Sequence, residues 1–191
     1  MPNWCSNKLQ VSGPISDVEE FISKNTTNGS LSFDVFVPMP EALKSGEGWY
    51  DWSVQNWGTK WDLRADDEIS FEEVKSTDSS VKTVECFFAT AWAPPVAWQE
   101  KVSTAFPTLT ISLWFDESGG DFAGLSEMIA GDSTIDCWED SSYSFVNCSG
   151  VNCDEIAYGP SAWERNASTE IGKLFCESEH ALEGEVQRVI S

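Results

Sequence analysis

Stretches that alternate between apolar and polar residues, joined by helical patterns, limit most strongly how this chain can fold. Residues 8–12 alternate as a strand with one buried face does. Ser16 suits a helix N-cap, and residues 16–24 carry apolar side chains at helical spacing. Residues 31–37 alternate again. The first part of the chain therefore predicts a β-α-β unit.

A second unit of the same kind follows. Residues 81–90 predict a strand, residues 96–106 a helix opened by Pro95, and residues 109–115 another strand. Two β-α-β units of this size are typical of a ferredoxin-like split β-α-β sandwich, in which helices lie on one face of a sheet. The sequence therefore predicts an α+β protein with this fold.

The pattern between and after the two units is weaker. Residues 41–60 hold Gly46, Gly48 and several tryptophans, which indicates a Trp-rich insert containing a loop. Residues 61–63 are expected to begin a strand, and residues 122–129 to form one after the second unit.

The chain changes character near residue 130. Residues 132–159 are rich in Ser, Asp, Asn and Cys, which is typical of short strands and turns, and residues 161–190 predict a helix interrupted by glycines. We therefore predict a ferredoxin-like domain over residues 1–130. Residues 131–191 are predicted to be an acidic, cysteine-containing extension packed on the same core.

Negative charge is the most unusual bulk property, with 32 acidic against 11 basic residues and a net charge of −21. Residues 1–115 hold 16 acidic and 8 basic residues, whereas residues 116–191 hold 16 and 3. Such a surface repels phosphate backbones and anionic lipid but attracts basic proteins. We expect a partner with a basic surface, no direct nucleic-acid binding and no membrane binding. The alternative, that the charge only keeps the protein soluble, stays open.

The chain lacks the patterns of exported and membrane proteins. No apolar run approaches the roughly 18–20 residues that span a bilayer, and the first residues do not form a signal peptide. We expect a cytoplasmic protein whose six cysteines are reduced.

Four cysteines and the single histidine raise the question of zinc: Cys137, Cys148, Cys153, Cys176 and His180. No two cysteines are separated by two residues, and the gap between Cys148 and Cys153 is at the upper edge of the usual ligand spacing. We predict no metal and no cofactor, and buried thiols instead.

Four segments resemble a known family. They are MPNWCSN at 1–7, QNWGTKWD at 55–62, TAWAPP at 90–95, and FPTL at 106–109 running through FDE at 115–117 to GDFAG at 120–124. Together they are similar to the YubB-like, ferredoxin-like-domain family of phages and mobile genetic elements, over about residues 1–130. That family has Ser where this chain has Ala93. The resemblance implies the fold and a mobile-element origin, and it implies no activity.

The segment 56–61 is the best candidate for a ligand or partner site. Trp57 and Trp61 can stack on a ligand, Asn56 can hydrogen-bond to it, and Lys60 offers a cation. Trp92 is a further candidate. The alternative, which the four-residue spacing of the two tryptophans favours, is that these rings pack in the core.

The sequence holds no catalytic motif, so we predict that the protein is not an enzyme. The leading hypothesis is an acidic binding protein of phage or mobile-element origin that modulates a host defence or nucleic-acid-handling protein, of the anti-CRISPR or anti-restriction type, by nucleic-acid mimicry. Its partner-binding face is predicted to include Asp132, Asp136, Glu139, Asp140, Asp154 and Glu155. The alternative is a small-molecule or nucleotide-binding domain, or an enzyme, that uses the 57–61 loop.

Overall fold

The computed structural model describes residues 3–64, 67–75, 78–117, 122–140 and 143–149, with side chains up to residue 134. The strands are β1 Trp4–Pro14, β2 Thr26–Thr27, β3 Ser30–Leu31, β4 Glu72–Val74, β5 Val81–Ala91, β6 Thr110–Glu117, β7 Phe122–Ile129, β8 Asp132–Asp140 and β9 Tyr143–Ser149. The helices are α1 Ile15–Asn25, α2 Phe33–Phe36, α3 Glu41–Lys44, α4 Trp49–Trp57 and α5 Val96–Ala105.

Strand β1 lies between β5 and β6 and is antiparallel to both. Because of this, β5 and β6 are parallel to each other, and α5 joins them across β1. Strand β4 pairs antiparallel with β5 and is therefore parallel to β1, with α1 in the connection between them. These two interleaved β-α-β units form the ferredoxin-like sandwich, which confirms the predicted fold class.

The prediction of a strand over residues 31–37 is wrong, because Phe33–Phe36 form helix α2. The Asp62 carboxylate accepts hydrogen bonds from the backbone N–H of Phe33 at 2.7 Å and of Asp34 at 3.2 Å. It thereby caps the first turn from far along the chain. Phe33 is buried while Val35 is 41% exposed, so the alternating pattern does not correspond to two faces of a strand.

The first β-α-β unit instead takes its second strand from β4, which follows the Trp-rich insert. Most of that insert is helical, in α3 and α4. The loop indicated by Gly46 and Gly48 is confirmed, because both glycines lie between these two helices. Residues 61–63, expected to begin a strand, lie in none of the helices or strands. The other predicted elements of both units, and the strand at 122–129, are confirmed. The prediction of Ser16 as an N-cap is wrong, because α1 begins at Ile15 after Pro14 and Ser16 lies inside it.

The core fills the space between the sheet and helices α1 and α5. Val18 and Phe21 of α1 and Trp98 and Val102 of α5 are fully buried. They pack in one cluster with buried strand residues, among them Leu9, Val11, Val84, Ile111 and Leu113. Burying a large apolar side chain contributes about 1.5–3 kcal/mol to the stability of the fold. The strands therefore keep apolar residues on the face that meets the helices, and this is the alternation seen in the sequence.

Strand pairing continues beyond residue 130, from β7 to β8 and from β8 to β9. Residues 132–149 therefore extend the sheet of the first domain, and the predicted helix at 161–190 lies outside the described residues. No helix in the described part of the chain has the length and apolar character needed to cross a membrane.

Candidate functional site

Three of the four segments that carry the family resemblance meet where β1 begins and β5 ends. The backbone N–H of Trp92 donates to the Asn3 carbonyl at 3.0 Å. The Thr59 hydroxyl donates to the Ala91 carbonyl at 2.9 Å. The loop that follows α4 is therefore tied to the end of β5, which is tied in turn to the start of the chain.

Gly58 allows this close contact. It ends α4 at φ 89°, where its N–H donates to the carbonyls of Ser53 and Val54. A Cβ at this position would lie 3.0 Å from the Pro94 carbonyl oxygen and 3.0 Å from the Val96 nitrogen. Only glycine fits both the left-handed conformation and the space.

A surface cluster of rings and cations forms at this junction. We call it the aromatic–cation patch: Trp4, Tyr50, Lys60, Trp61, Arg64 and Trp92. The Lys60 Nζ lies 4.0 Å from the centre of the Trp92 ring and 4.7 Å from that of Trp61. Both distances are well within the range of a cation–π interaction.

Further ring contacts extend the patch on both sides. Trp4 meets Trp61 edge-on with ring centroids 6.4 Å apart, and the Arg64 guanidinium carbon lies 5.9 Å from the Trp4 ring. Tyr50 meets Trp92 edge-on at 6.1 Å. Trp4, Tyr50 and Trp92 are 37%, 40% and 43% exposed, so the rings remain accessible from solvent.

The backbone at Trp92 is strained. Its φ is 72°, in the left-handed region that bulky residues rarely adopt. The Thr90 hydroxyl accepts from Asn7 Nδ2 at 2.9 Å and donates to the Ala93 carbonyl at 2.8 Å, which holds the turn on both sides. Strain of this kind persists where the surroundings enforce it, and it is concentrated at binding and active sites.

The cations of the patch differ from most others in the described chain. Lys8, Lys24, Lys44 and Lys82 each form an ion pair with at least one carboxylate. Within the described residues, neither Lys60 nor Arg64 has a carboxylate in ion-pair contact. Two cations that pair with no described carboxylate therefore lie beside exposed rings in a protein of net charge −21.

The structure separates the residues predicted for the ligand loop. Lys60, Trp61 and Trp92 come together in the patch. Trp57 is buried in the core and donates its Nε1–H to the Val37 carbonyl at 2.9 Å. Asn56 donates to the Trp52 carbonyl and accepts from the Lys101 ammonium.

Sequence reasoning did not assign Trp4, Tyr50 and Arg64 to this site. Trp4 belongs to one of the resembling segments, and that was the only signal for it. Tyr50 and Arg64 flank the 56–61 segment, but their placement depends on helix α4, which the sequence did not predict.

The predicted acidic face is described only in part. Asp132 is exposed at the start of β8, and Asp136, Glu139 and Asp140 lie further along the same strand. Asp154 and Glu155 lie outside the described residues. The acidic face therefore stays a prediction.

The two cysteines whose side chains the structure describes, Cys5 and Cys86, offer no reactive thiolate. Burial raises the pKa of Cys5 to about 12 and the pKa of Cys86 still higher, so both thiols stay protonated. The strand register places Cys137 opposite Cys148, while Cys153, Cys176 and His180 lie outside the described residues. No group of three metal-binding side chains occurs among the described residues.

The topology and the patch together define a ferredoxin-like α+β domain with an aromatic surface site. A family model described as the ferredoxin-like domain in Api92-like protein matches residues 56–161, more than half of the chain. The chain belongs to this family. The resemblance recognised from the sequence is confirmed at the level of the ferredoxin-like domain.

Two further comparisons concern solved structures and curated proteins. The crystal structure of protein api92 from Yersinia pseudotuberculosis is similar, with 10% sequence identity and a TM-score of 0.47 over 70% of this chain and 96% of that one. A search among curated proteins gave no significant match.

Proposed function

We propose that this protein acts by binding rather than by catalysis, and that the aromatic–cation patch is its contact surface. One observation carries the proposal: the Lys60 ammonium lies within cation–π distance of both Trp61 and Trp92 at a backbone-clamped site, where Trp92 is 43% exposed. Trp, Tyr and Arg are the residues that most often dominate the energy of interfaces. All three types occur in the patch.

The rigidity of the site supports this role. The hydrogen bonds at Asn3, Thr59 and Thr90 fix the loops that carry the rings before any partner arrives. A surface that is already ordered loses less conformational entropy on binding, so more of the contact energy appears as affinity.

A matched pair of variants tests the proposal. Trp92→Ala removes the central ring of the patch, and Phe87→Ala removes a ring that is 64% exposed on the sheet face opposite the helices. Immobilised wild-type and variant proteins are incubated with a bacterial lysate, and the affinity of each captured protein is measured. We expect Trp92→Ala to weaken binding by at least about tenfold and Phe87→Ala to leave it unchanged. Equal loss, or no loss, in the two variants would refute the proposal.

A more specific proposal concerns the partner, a host defence protein with which this chain, as a phage or mobile-element protein, would interfere. The basic surface of that partner would be attracted to the acidic residues of the chain and not to the cations of the patch. The charge distribution supports it, because residues 116–191 hold 16 acidic and only 3 basic residues. Long-range attraction of this kind speeds encounter and weakens with salt.

Salt dependence tests the partner class. The association rate constant with a basic partner should be markedly lower at high salt than at low salt. The Trp92→Ala variant should show the same salt dependence at a lower affinity. Rate constants from surface plasmon resonance measure both effects. An association rate insensitive to salt would exclude a basic partner.

A further inference from the structure

The cations of the patch differ from the other cations beside rings, Lys8 and Lys24, each of which also pairs with a carboxylate. The patch cations, Lys60 and Arg64, have no carboxylate in ion-pair contact within the described chain, although acidic residues outnumber basic ones almost threefold. Lys44 and Lys82, by contrast, each contact two carboxylates. Positive charge that no described carboxylate compensates can attract a compact anion from outside.

The rings beside these cations are available for stacking. Trp92 presents 43% of its surface, and Trp4 37%, at angles that leave parts of both rings open. Indole faces stack on planar rings of any base, with little dependence on its identity. A ligand matched to both features carries a planar ring and a negative group close together.

Continuous contacts link the two cations. Lys60 contacts Trp61, Trp61 contacts Trp4, and Trp4 contacts Arg64, with each step between 4.7 and 6.4 Å. A ring that stacks on one of these indoles therefore brings an attached anion within reach of a cation. A long nucleic-acid strand does not suit the site, because the net charge of −21 repels its backbone.

We propose that the aromatic–cation patch binds a nucleoside monophosphate, with the base stacked on Trp92 and the phosphate held by Lys60, whose Nζ lies 4.0 Å from the centre of that ring. This inference rests on the proposed role of the patch as a binding surface. It adds the ligand class, a planar base bearing one phosphate, and it requires no catalytic step.

Calorimetric titration of the full chain at low salt tests the ligand class. The probes are AMP, adenosine, inorganic phosphate and a ten-nucleotide adenine strand. We expect AMP to bind at least about tenfold more tightly than adenosine or phosphate, since only AMP uses both the rings and the cations. A strand that binds more tightly than AMP would overturn the inference of a mononucleotide ligand, because the net charge of −21 should repel its backbone.

Four variants locate the site. Trp92→Leu removes the stacking ring, and Lys60→Gln removes one charge while keeping a polar chain. The control for the ring is Phe87→Leu, on the sheet face opposite the helices. The control for the charge is Lys75→Gln, at an exposed lysine with no ion pair among the described residues. We expect each patch variant to weaken AMP binding at least fivefold and each control to leave it unchanged. Circular dichroism confirms that every variant is folded.

The outcomes separate this inference from the proposed function. If AMP does not bind, or binds equally to wild type and to both patch variants, the nucleotide inference is overturned. The proposed function then still stands if Trp92→Ala weakens capture of a protein partner and Phe87→Ala does not. Phosphate that binds as tightly as AMP would show that the rings take no part, which also overturns the inference.

Discussion

Tryptophans of one short segment lie in two contrasting regions of this protein. Trp57 belongs to a buried aromatic cluster, 6.3 Å from Phe33, whose ring in turn lies 5.1 Å from Trp98. Trp61, four residues later, lies in the aromatic–cation patch. In the cluster the rings are surrounded by other apolar groups; in the patch they are surrounded by cations and water. The comparison shows that residue type alone does not distinguish a ring packed in the core from a ring in a surface cluster.

Gly58 is the residue that separates the two regions. Helix α4 carries Trp57 into the core on its last turn, and the left-handed conformation at Gly58 ends that helix. The chain then turns outward, so that Lys60 and Trp61 follow a different direction. We therefore expect the two regions to differ in how much their rings contribute to the free energy of unfolding.

Removing a ring from the buried cluster should have the largest effect. Trp57→Ala leaves a cavity and an unpaired Val37 carbonyl, and we expect it to lower the free energy of unfolding by about 3–5 kcal/mol. Trp92→Ala should lower it by less than about 1 kcal/mol, because that ring is half in solvent. Urea denaturation measures both values. Similar losses would remove the distinction between the regions.

A methyl group at the junction should have the next largest effect. In Gly58→Ala the added carbon meets backbone atoms at 3.0 Å, and the alanine must adopt a positive φ. We therefore expect the free energy of unfolding to fall by about 2–3 kcal/mol. Gly29→Ala is the control, since φ is +83° there but nothing lies within 4 Å of the added carbon. It should cost only about 1 kcal/mol by thermal denaturation. Equal costs at the two sites would show that the contact with Pro94 is not tight.

Loss of the long-range cap should weaken the buried cluster less. Asp62→Ala leaves the first N–H groups of α2 without their acceptor, and this helix carries Phe33 into the cluster. We expect a loss of about 1–2 kcal/mol in chemical denaturation. Asp51→Ala, an exposed change in the first turn of α4, should cost less. A cost for Asp62→Ala no greater than this control would mean that α2 does not depend on Asp62.

Replacing Trp92, whose backbone is strained, should have the smallest effect on stability. Asn tolerates the left-handed conformation better than Trp, so Trp92→Asn releases strain while it loses the Lys60 contact. We expect the free energy of unfolding to stay within about 1 kcal/mol of wild type while partner binding is lost. Calorimetry provides both measurements. A large destabilisation would place Trp92 with the buried cluster.

The site was harder to predict than the fold. Lys60, Trp61 and Trp92 were proposed together from their residue types, and the structure brings them together. Trp57 has the same residue type as Trp61 and Trp92 but faces the core. Helix α4, which the sequence pattern did not predict, sets that direction.

The sequence by itself determined the elements whose pattern is local. Strands β1, β5 and β6 and helices α1 and α5 follow from apolar residues repeating with the period of a strand or of a helix, since each element buries one face of its own. The order of these elements was enough to indicate the ferredoxin-like class.

Only the tertiary structure decided the rest, because the responsible contacts join distant parts of the chain. Residues 33–36 are a helix because Asp62 caps them, although their alternation favours a strand. Trp4 and Trp92 share a surface because β1 pairs with β5 so that Trp4 lies opposite Ala91. The energy of a cap or of a strand pair depends on a partner that is distant in the sequence, and no local period encodes that partner. For this reason only the folded chain shows that Trp57 is buried and that Trp4 and Trp92 are exposed.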